Sequence, residues 1–406
     1  MTSSAYVFVE GLAEQPVICG RFELNSQAKQ GRFVYGRSYL ERVDAFALDP
    51  LHLPLTGNVQ HCHVNNGLFG VLADAGADAW GRKLILQLHQ TKPQNELEFL
   101  IAGAAMGVGA LTFSLSREKT KTKHSRNAIN DLELLLQGKN AILAAETVSD
   151  EVKQAFVYGS SMGGARPKTL LTHNGHEYLV KFNKPDDLYN VARVEHATMR
   201  MLAELDGVCV AETEVLQGIG GSEDVLLVKR FDRADQRVSH HFISANSLLL
   251  EGAVSERSLA AGYSYGQLAE LLRLHSTVAT DAHELFMRMA FNVFIGNTDD
   301  HARNHAWLRP IAAGRHEPAW QLAPAYDVLP ISASKLHGLG IGGLGRHGSI
   351  ENLLSQANRF GLQEFKAKAI VNQVRELVTQ WPQYMARFGV GDGDIERLRK
   401  IIPTVA

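Results

Sequence analysis

Cysteine is scarce in this chain. Cys19, Cys62 and Cys209 are its only three, an odd and widely spaced set that argues against a disulfide framework and for reduced thiols. No run reaches the roughly 18 apolar residues that a bilayer-spanning helix needs. The N-terminus shows no basic stretch leading into an apolar one, so a cytoplasmic location is expected. An excess of one charge is missing too. The 41 Lys and Arg stand against 43 Asp and Glu, a formal net charge of −2, which excludes coating of nucleic acid by bulk charge and leaves room only for a local basic patch. His61, Cys62 and His63 form the densest group of metal-binding types. Adjacent residues seldom converge on one ion, however, and no second cluster has zinc-site spacing. Internal repeats and low-complexity tracts are absent.

What is present is a chain of 406 residues with 45% hydrophobic content, enough to bury the cores of two or three packed units. Residues 1–110 open with the apolar run Ala5 to Val9, a strand signal, and continue with helical stretches at Trp80 to Leu88 and Glu96 to Ala105. This predicts a small α/β unit. The run Arg117 to Arg126, with Lys119, Lys121, Lys123 and His124, lacks apolar periodicity and reads as a solvated linker. Residues 111–235 read as a strand-rich unit. Its helix, around Ala192 to Leu205, carries Val194, Ala197, Met201, Leu202 and Leu205 at helical spacing. In residues 236–406 helices dominate, as in the stripe Ile370, Val371, Val374, Leu377, Val378 and Trp381. The class is α+β.

Gly159 to Lys168 contains three glycines and two serines before Pro167, a composition that lets backbone N–H groups face an anion. Its glycine spacing is not that of a Walker A loop. A Gly/Ser stretch alone marks a turn, so the following residues matter. Thr169 to His173, Asn174-Gly175 and His176 to Asn183 read as a hairpin with a type I′ turn. Pairing His173 with His176 puts Lys168 opposite Lys181 on one face of the hairpin. Two opposed lysines repel, and an anion beside them would relieve the repulsion.

Asn297-Thr298-Asp299-Asp300-His301-Ala302-Arg303-Asn304 follows the apolar segment Leu285 to Ile295. Asp299 and Asn304 have the D-x-x-x-x-N spacing of a kinase catalytic loop, in which the aspartate takes the acceptor hydroxyl's proton and the asparagine holds magnesium. His301 is expected to brace the loop. Ala323-Pro324-Ala325-Tyr326-Asp327 then supplies a later carboxylate, and a hard magnesium ion suits Asp327, Asn304 and nucleotide phosphates. The order of Gly-rich loop, strand lysine, D-x-x-x-x-N and later aspartate carries more than any one motif. Gly340 to Gly345 also satisfies G-x-G-x-x-G. It lacks a surrounding βαβ unit and a ribose-binding acid, so it reads as a turn.

These segments resemble the HipA-like serine/threonine kinases of bacterial toxin–antitoxin systems. Ser161 to Lys168 is similar to that family's Gly-rich loop, Asp299 to Asn304 to its D-x-H-x-[KR]-N segment, and Ala323 to Asp327 to its P-x-Y-D segment. Gly31 to Leu55 and Asp78 to Arg82 resemble parts of its N-terminal subdomain, and Phe231-Asp232-Arg233 its lobe junction. The resemblance implies a two-lobed protein-kinase-like fold with an N-terminal subdomain over 1–110, an N-lobe over 111–235 and a mainly helical C-lobe over 236–406.

It also implies ATP and Mg2+ as cofactors, Asp299 as general base, and Asn304 and Asp327 as metal ligands. Lys181 is implied as the phosphate-pairing lysine with Glu195 as its partner. Nucleotide contacts fall to Ser161, Gly163, Gly164, Ala165, Arg166, Lys168, Lys181, Lys229, Phe231, His301 and Asn304. Ser161 or Ser160 is implied as a site of autophosphorylation that ejects the loop. The implied partners are a helix-turn-helix antitoxin, DNA only through that antitoxin, and an aminoacyl-tRNA synthetase as protein substrate. A small-molecule kinase or a nucleotide-binding co-repressor would use the same site.

Overall fold

A computed structural model describes residues 2–89, 91–105, 107–121, 127–157, 164, 166–219, 221, 223–250, 263–315, 317–331 and 336–404. Alternation of apolar side chains builds a first antiparallel sheet from β1 (Ser4–Val9), β2 (Val17–Asn25), β3 (Gln30–Tyr35), β4 (Gln60–Cys62) and β5 (Leu111–Ser114), in the order β4-β3-β2-β1-β5. Leu111–Ser114, which the sequence places at the start of the second unit, pairs with β1. The sheet buries Phe22 and Phe33, and both rings meet Phe69 edge-on with centroids 6.2 and 6.4 Å away. Phe69 directly precedes the short helix Gly70–Asp74 and so pins that helix to the sheet.

The second sheet has the order β6-β7-β8-β10-β9, from Asn127–Ala128, Lys168–His173, His176–Phe182, Thr213–Ile219 (β9) and Glu223–Lys229 (β10). Asn174 at φ 48° and Gly175 at φ 77° form the expected mirror-image turn. The register follows, with His173 opposite His176 and Lys168 opposite Lys181. Helix Val191–Leu202 starts where the Asn190 side chain accepts the Arg193 N–H at 3.2 Å. It buries Val194, Ala197, Met201 and Leu202, and carries Glu195 on its inner side, 2% exposed.

The linker after β10 is pinned by buried charge. Asp232 accepts from Arg230 (2.7 and 2.9 Å), from Arg233 (2.8 Å) and from the Gly109 N–H (2.7 Å), while Arg230 also reaches the Gly107 carbonyl. The N-terminal unit is thereby bonded to the linker between the lobes.

Helices Tyr265–His275, Asp281–Ile295 and Glu364–Thr379 dominate the remainder, with a small sheet of β13 (His240–Ser244), β14 (Ala306–Pro310) and β15 (Gln321–Leu322) after the two-residue strands β11 (Arg233–Ala234) and β12 (Arg237–Val238). Gly340 to Gly345 is a turn closed by a Gly342–Gly345 bridge. One linker residue departs from expectation. The Lys121 ammonium donates to the carbonyls of Leu100, Gly103 and Ala104 at 2.5, 3.0 and 3.4 Å, and burial pushes its pKa down to about 7. A helix end with free carbonyls captures a cation that the polar sequence around it leaves looking solvated.

Candidate functional site

The loop that carries Asp299 begins at a helix stop. Gly296, at φ 75°, ends Asp281–Ile295 in the left-handed conformation that favours glycine, and Asn297 N–H bonds back to the Asn292 carbonyl at 2.9 Å. Beyond it the loop is held from below. Asp300 is buried and accepts hydrogen bonds from the Tyr265 hydroxyl and from His305 Nε2 (3.0 Å), and Asn292 donates to the same Tyr265 oxygen at 3.0 Å. The expectation that His301 braces the loop is thus corrected. Asp300 and His305 do so, because their side chains point into the core, whereas His301 faces the cleft with its Nδ1 unpartnered.

The cleft lies between the second sheet and the helical lobe and encloses about 1160 Å³, open solvent at its mouth included. Val108, Phe231 and Phe242 pack in one cluster that forms its apolar end, and Leu179 and Val228 also line it. Its polar end is lined by Gly164, Lys181, His301, Asn304 and Asp327, and Lys229 and Arg303 also face it. Such a division suits a ligand with an aromatic head and an anionic tail.

Lys181 organises the polar end. Its Nζ donates to Glu195 Oε1 at 2.5 Å and to Asp327 Oδ1 at 2.6 Å. Burial lowers the ammonium's pKa, but the two carboxylates outweigh burial and hold it above the ordinary lysine range. Burial pushes Asp327 up, and Lys181 more than reverses this, holding its carboxyl below the usual range. Glu195 is more deeply buried and stays above that range. Asp327 adopts φ 60°, a left-handed conformation that aspartate tolerates better than most residues.

The opposed lysines have protein anions beside them. Lys168 is 2% exposed and donates to Asp78 Oδ2 at 2.7 Å, while Asp78 Oδ1 caps helix Ala79–Leu88 by accepting the Gly81 N–H. Its charge is therefore paired with a carboxylate that itself lines the cleft. Arg166 is likewise engaged, by Asp187 at 2.5 and 2.8 Å, and Lys229 pairs with Glu212 at 3.0 Å while lining the cleft. Asp299 is exposed and does not line the cleft. Ser160, Ser161, Gly163 and Ala165 lie outside the described residues.

The donor set suits a hard cation shared with phosphates. Asp327 offers a partly exposed carboxylate, and the Asn304 side-chain amide lines the cleft with no hydrogen bond among the described residues. Among the described residues no cluster of three His, Cys, Asp or Glu forms an all-protein metal cage. Magnesium on phosphates needs only one or two such ligands.

Sequence reasoning missed the wall from the N-terminal unit, where Asn65, Asp74, Asp78 and Val108 line the cleft, and missed Ser244, which bonds Asp74, and Asn246. Of these only Asp78 carried a signal, as the start of the acidic-to-Trp-Gly-Arg stretch.

Comparison with known proteins agrees with this architecture. The family model for the HipA-like C-terminal domain matches residues 160–381, and that for the HipA N-terminal domain matches residues 15–114. A Haemophilus influenzae protein provisionally named a kinase is 29% identical over 202 residues, covering 45% of this chain and 55% of the relative. The Shewanella oneidensis serine/threonine-protein kinase toxin HipA is 26% identical over 198 residues, 42% of this chain and 43% of that one. The chain thus spans about half the length of the curated relatives it matches. A solved structure of Shewanella oneidensis HipA with HipB and operator DNA superposes with a TM-score of 0.69 at 17% identity, covering 96% of this chain and 93% of that chain. The fold is therefore α+β and two-lobed, like that of a protein kinase. With more than half its length matched by one family model, the chain belongs to the HipA-like family.

Proposed function

We propose that the chain is an ATP-dependent serine/threonine protein kinase acting as the toxin of a HipA-like toxin–antitoxin system. The observation that carries this reading is Lys181 held between Glu195 and Asp327, with Asn304 and His301 lining the same cleft. A fixed ammonium and metal-binding oxygens at the polar end suit a polyphosphate, and the apolar end suits adenine. Lys181 would pair with ATP phosphates, and Gly164 with its flanking loop would supply backbone N–H groups. Asn304 and Asp327 would hold magnesium, which neutralises charge on the phosphates when bound. Asp299, exposed beside the cleft, is open to an incoming protein and would take the proton of its serine or threonine hydroxyl.

The finer parts of the reading are a HipB-like antitoxin partner, through which DNA is met indirectly, an aminoacyl-tRNA synthetase as substrate, and autophosphorylation on Ser161 or Ser160. The antitoxin is suggested by likeness in fold to a protein solved with HipB and operator DNA. A phosphoserine in the Gly-rich loop adds about −1.5 to −2 charge at pH 7 and would repel ATP phosphates, switching the enzyme off.

The test is transfer of labelled γ-phosphate from ATP into a host lysate by the parent and by Asp299→Asn, with labelled bands identified by mass spectrometry. Label on a synthetase and on Ser161 or Ser160, lost in the variant, is expected. No label in any protein would overturn the kinase assignment, and label confined to small molecules would replace it with a small-molecule kinase.

A further inference from the structure

The cleft holds a carboxylate that the phosphate chemistry leaves unused. Asp74 ends the helix that Phe69 pins to the first sheet, and it lines the cleft together with both the apolar and the polar groups. Its orientation is fixed from outside. The Ser244 N–H donates to Oδ2 at 2.8 Å and the Ser244 hydroxyl to Oδ1 at 2.7 Å, and that hydroxyl is itself 3.1 Å from Ser247 Oγ. Ser247 also hydrogen-bonds the carboxylate, whose roughly four acceptor positions leave one for a ligand. Among the described residues no cation forms an ion pair with Asp74, in contrast to Asp78, Asp187, Asp232 and Asp327, which all have one.

Its place along the cleft follows from Ser244 and Tyr326. That ring packs on Phe231 with centroids 5.6 Å apart, at the apolar end, and Tyr326 immediately precedes Asp327 at the polar end. The Tyr326 hydroxyl donates to the Arg303 carbonyl at 2.7 Å. Ser244, which holds Asp74, lies two residues beyond Phe242 on β13, on the same face of that strand, and both line the cleft. Asp74 therefore lines the cleft beside the apolar end, in the same cavity as the groups for phosphates. The neutral donors of a nucleotide between its base and its phosphates are the ribose hydroxyls, and a carboxylate is the side chain that binds such hydroxyls in other nucleotide folds.

We propose that Asp74, from the N-terminal unit, binds a ribose hydroxyl, so that the cleft selects ribonucleotides over deoxyribonucleotides. This rests on the ATP reading above and adds that the N-terminal unit completes the nucleotide site.

The experiment is calorimetric titration of the full chain with ATP, 2′-deoxy-ATP and 3′-deoxy-ATP in magnesium, for the parent and for Asp74→Asn. Each affinity ratio is taken within one protein, so a loss of folded fraction cancels. The parent should bind ATP roughly tenfold or more tightly than at least one deoxy analogue, as loss of a hydrogen bond to a charged acceptor predicts. In Asp74→Asn that ratio should fall towards one. If the variant does not fold, the parent's ratios decide: equal affinity for all three nucleotides overturns the proposal. A ratio unchanged in a folded variant overturns it too, including where magnesium dependence shifts instead, which would make Asp74 a metal ligand. If the parent binds no ATP, the kinase reading fails and this proposal with it.

Discussion

Lys181 Nζ lies 2.6 Å from Asp327 Oδ1, so an ammonium on the second sheet is joined to a carboxylate of the helical lobe. Glu195, 2.5 Å from the same nitrogen, secures it from helix Val191–Leu202. The cation that would meet phosphate is thus positioned before any ligand arrives, which is what electrostatic preorganisation requires.

Lys181→Met is expected to lower kcat for phosphate transfer by about 10²- to 10³-fold, the range for losing one preorganised charge contact. Glu195→Gln should lose less, because Asp327 still holds the lysine. Steady-state kinetics of both variants check this, and equal losses would show that Glu195 does more than position Lys181.

Asp299→Asn should lower transfer by about 10²- to 10⁴-fold, the usual contribution of a general base. ATP affinity should hardly change, since Asp299 is exposed and lies outside the cleft lining. Single-turnover transfer and equilibrium binding, measured on one preparation, separate the two effects.

Asp327→Ala should weaken ATP binding in magnesium and abolish most of its magnesium dependence, because a charged oxygen donor is lost. Calorimetry with and without magnesium reads this directly. Affinity equal to the parent's in magnesium would remove Asp327 from the metal site.

Much of this was legible in the sequence because it is local. The Asn174-Gly175 turn fixed the hairpin register that sets Lys168 opposite Lys181, and the D-x-x-x-x-N spacing put Asn304 and His301 on one loop. What stayed hidden depends on contacts between distant segments. Nothing near Lys168 says that Asp78, ninety positions earlier, takes up its charge. Asp74 sits in an unremarkable helix end and reaches the cleft only because Phe69 packs on a sheet formed much earlier in the chain. Lys121 looks solvated among polar neighbours, yet the helix end that captures it is supplied by another segment.

The last prediction concerns the linker between the lobes. Asp232 is 1% exposed and lies between two buried guanidiniums, those of Arg230 and Arg233. Burial alone would raise its pKa, but the two arginines and the Gly109 N–H overcome this and hold it well below the usual carboxylate range. Asp232→Asn would leave two buried cations short of a counter-charge, a change that costs about 3–5 kcal/mol when a buried pair is broken. The pH dependence has a definite sign. A carboxylate whose folded pKa is depressed contributes stability that is fully present above its unfolded pKa and is lost as pH falls through the folded one. The gap between parent and variant in urea unfolding should therefore be constant near neutrality and narrow only on acidification below about pH 4, the unfolded aspartate value. A gap that narrowed near pH 7 would point to a histidine instead, and no gap at all would show that Glu177, already 3.5 Å from Arg230 and 3.7 Å from Arg233, balances the arginines by itself or with water.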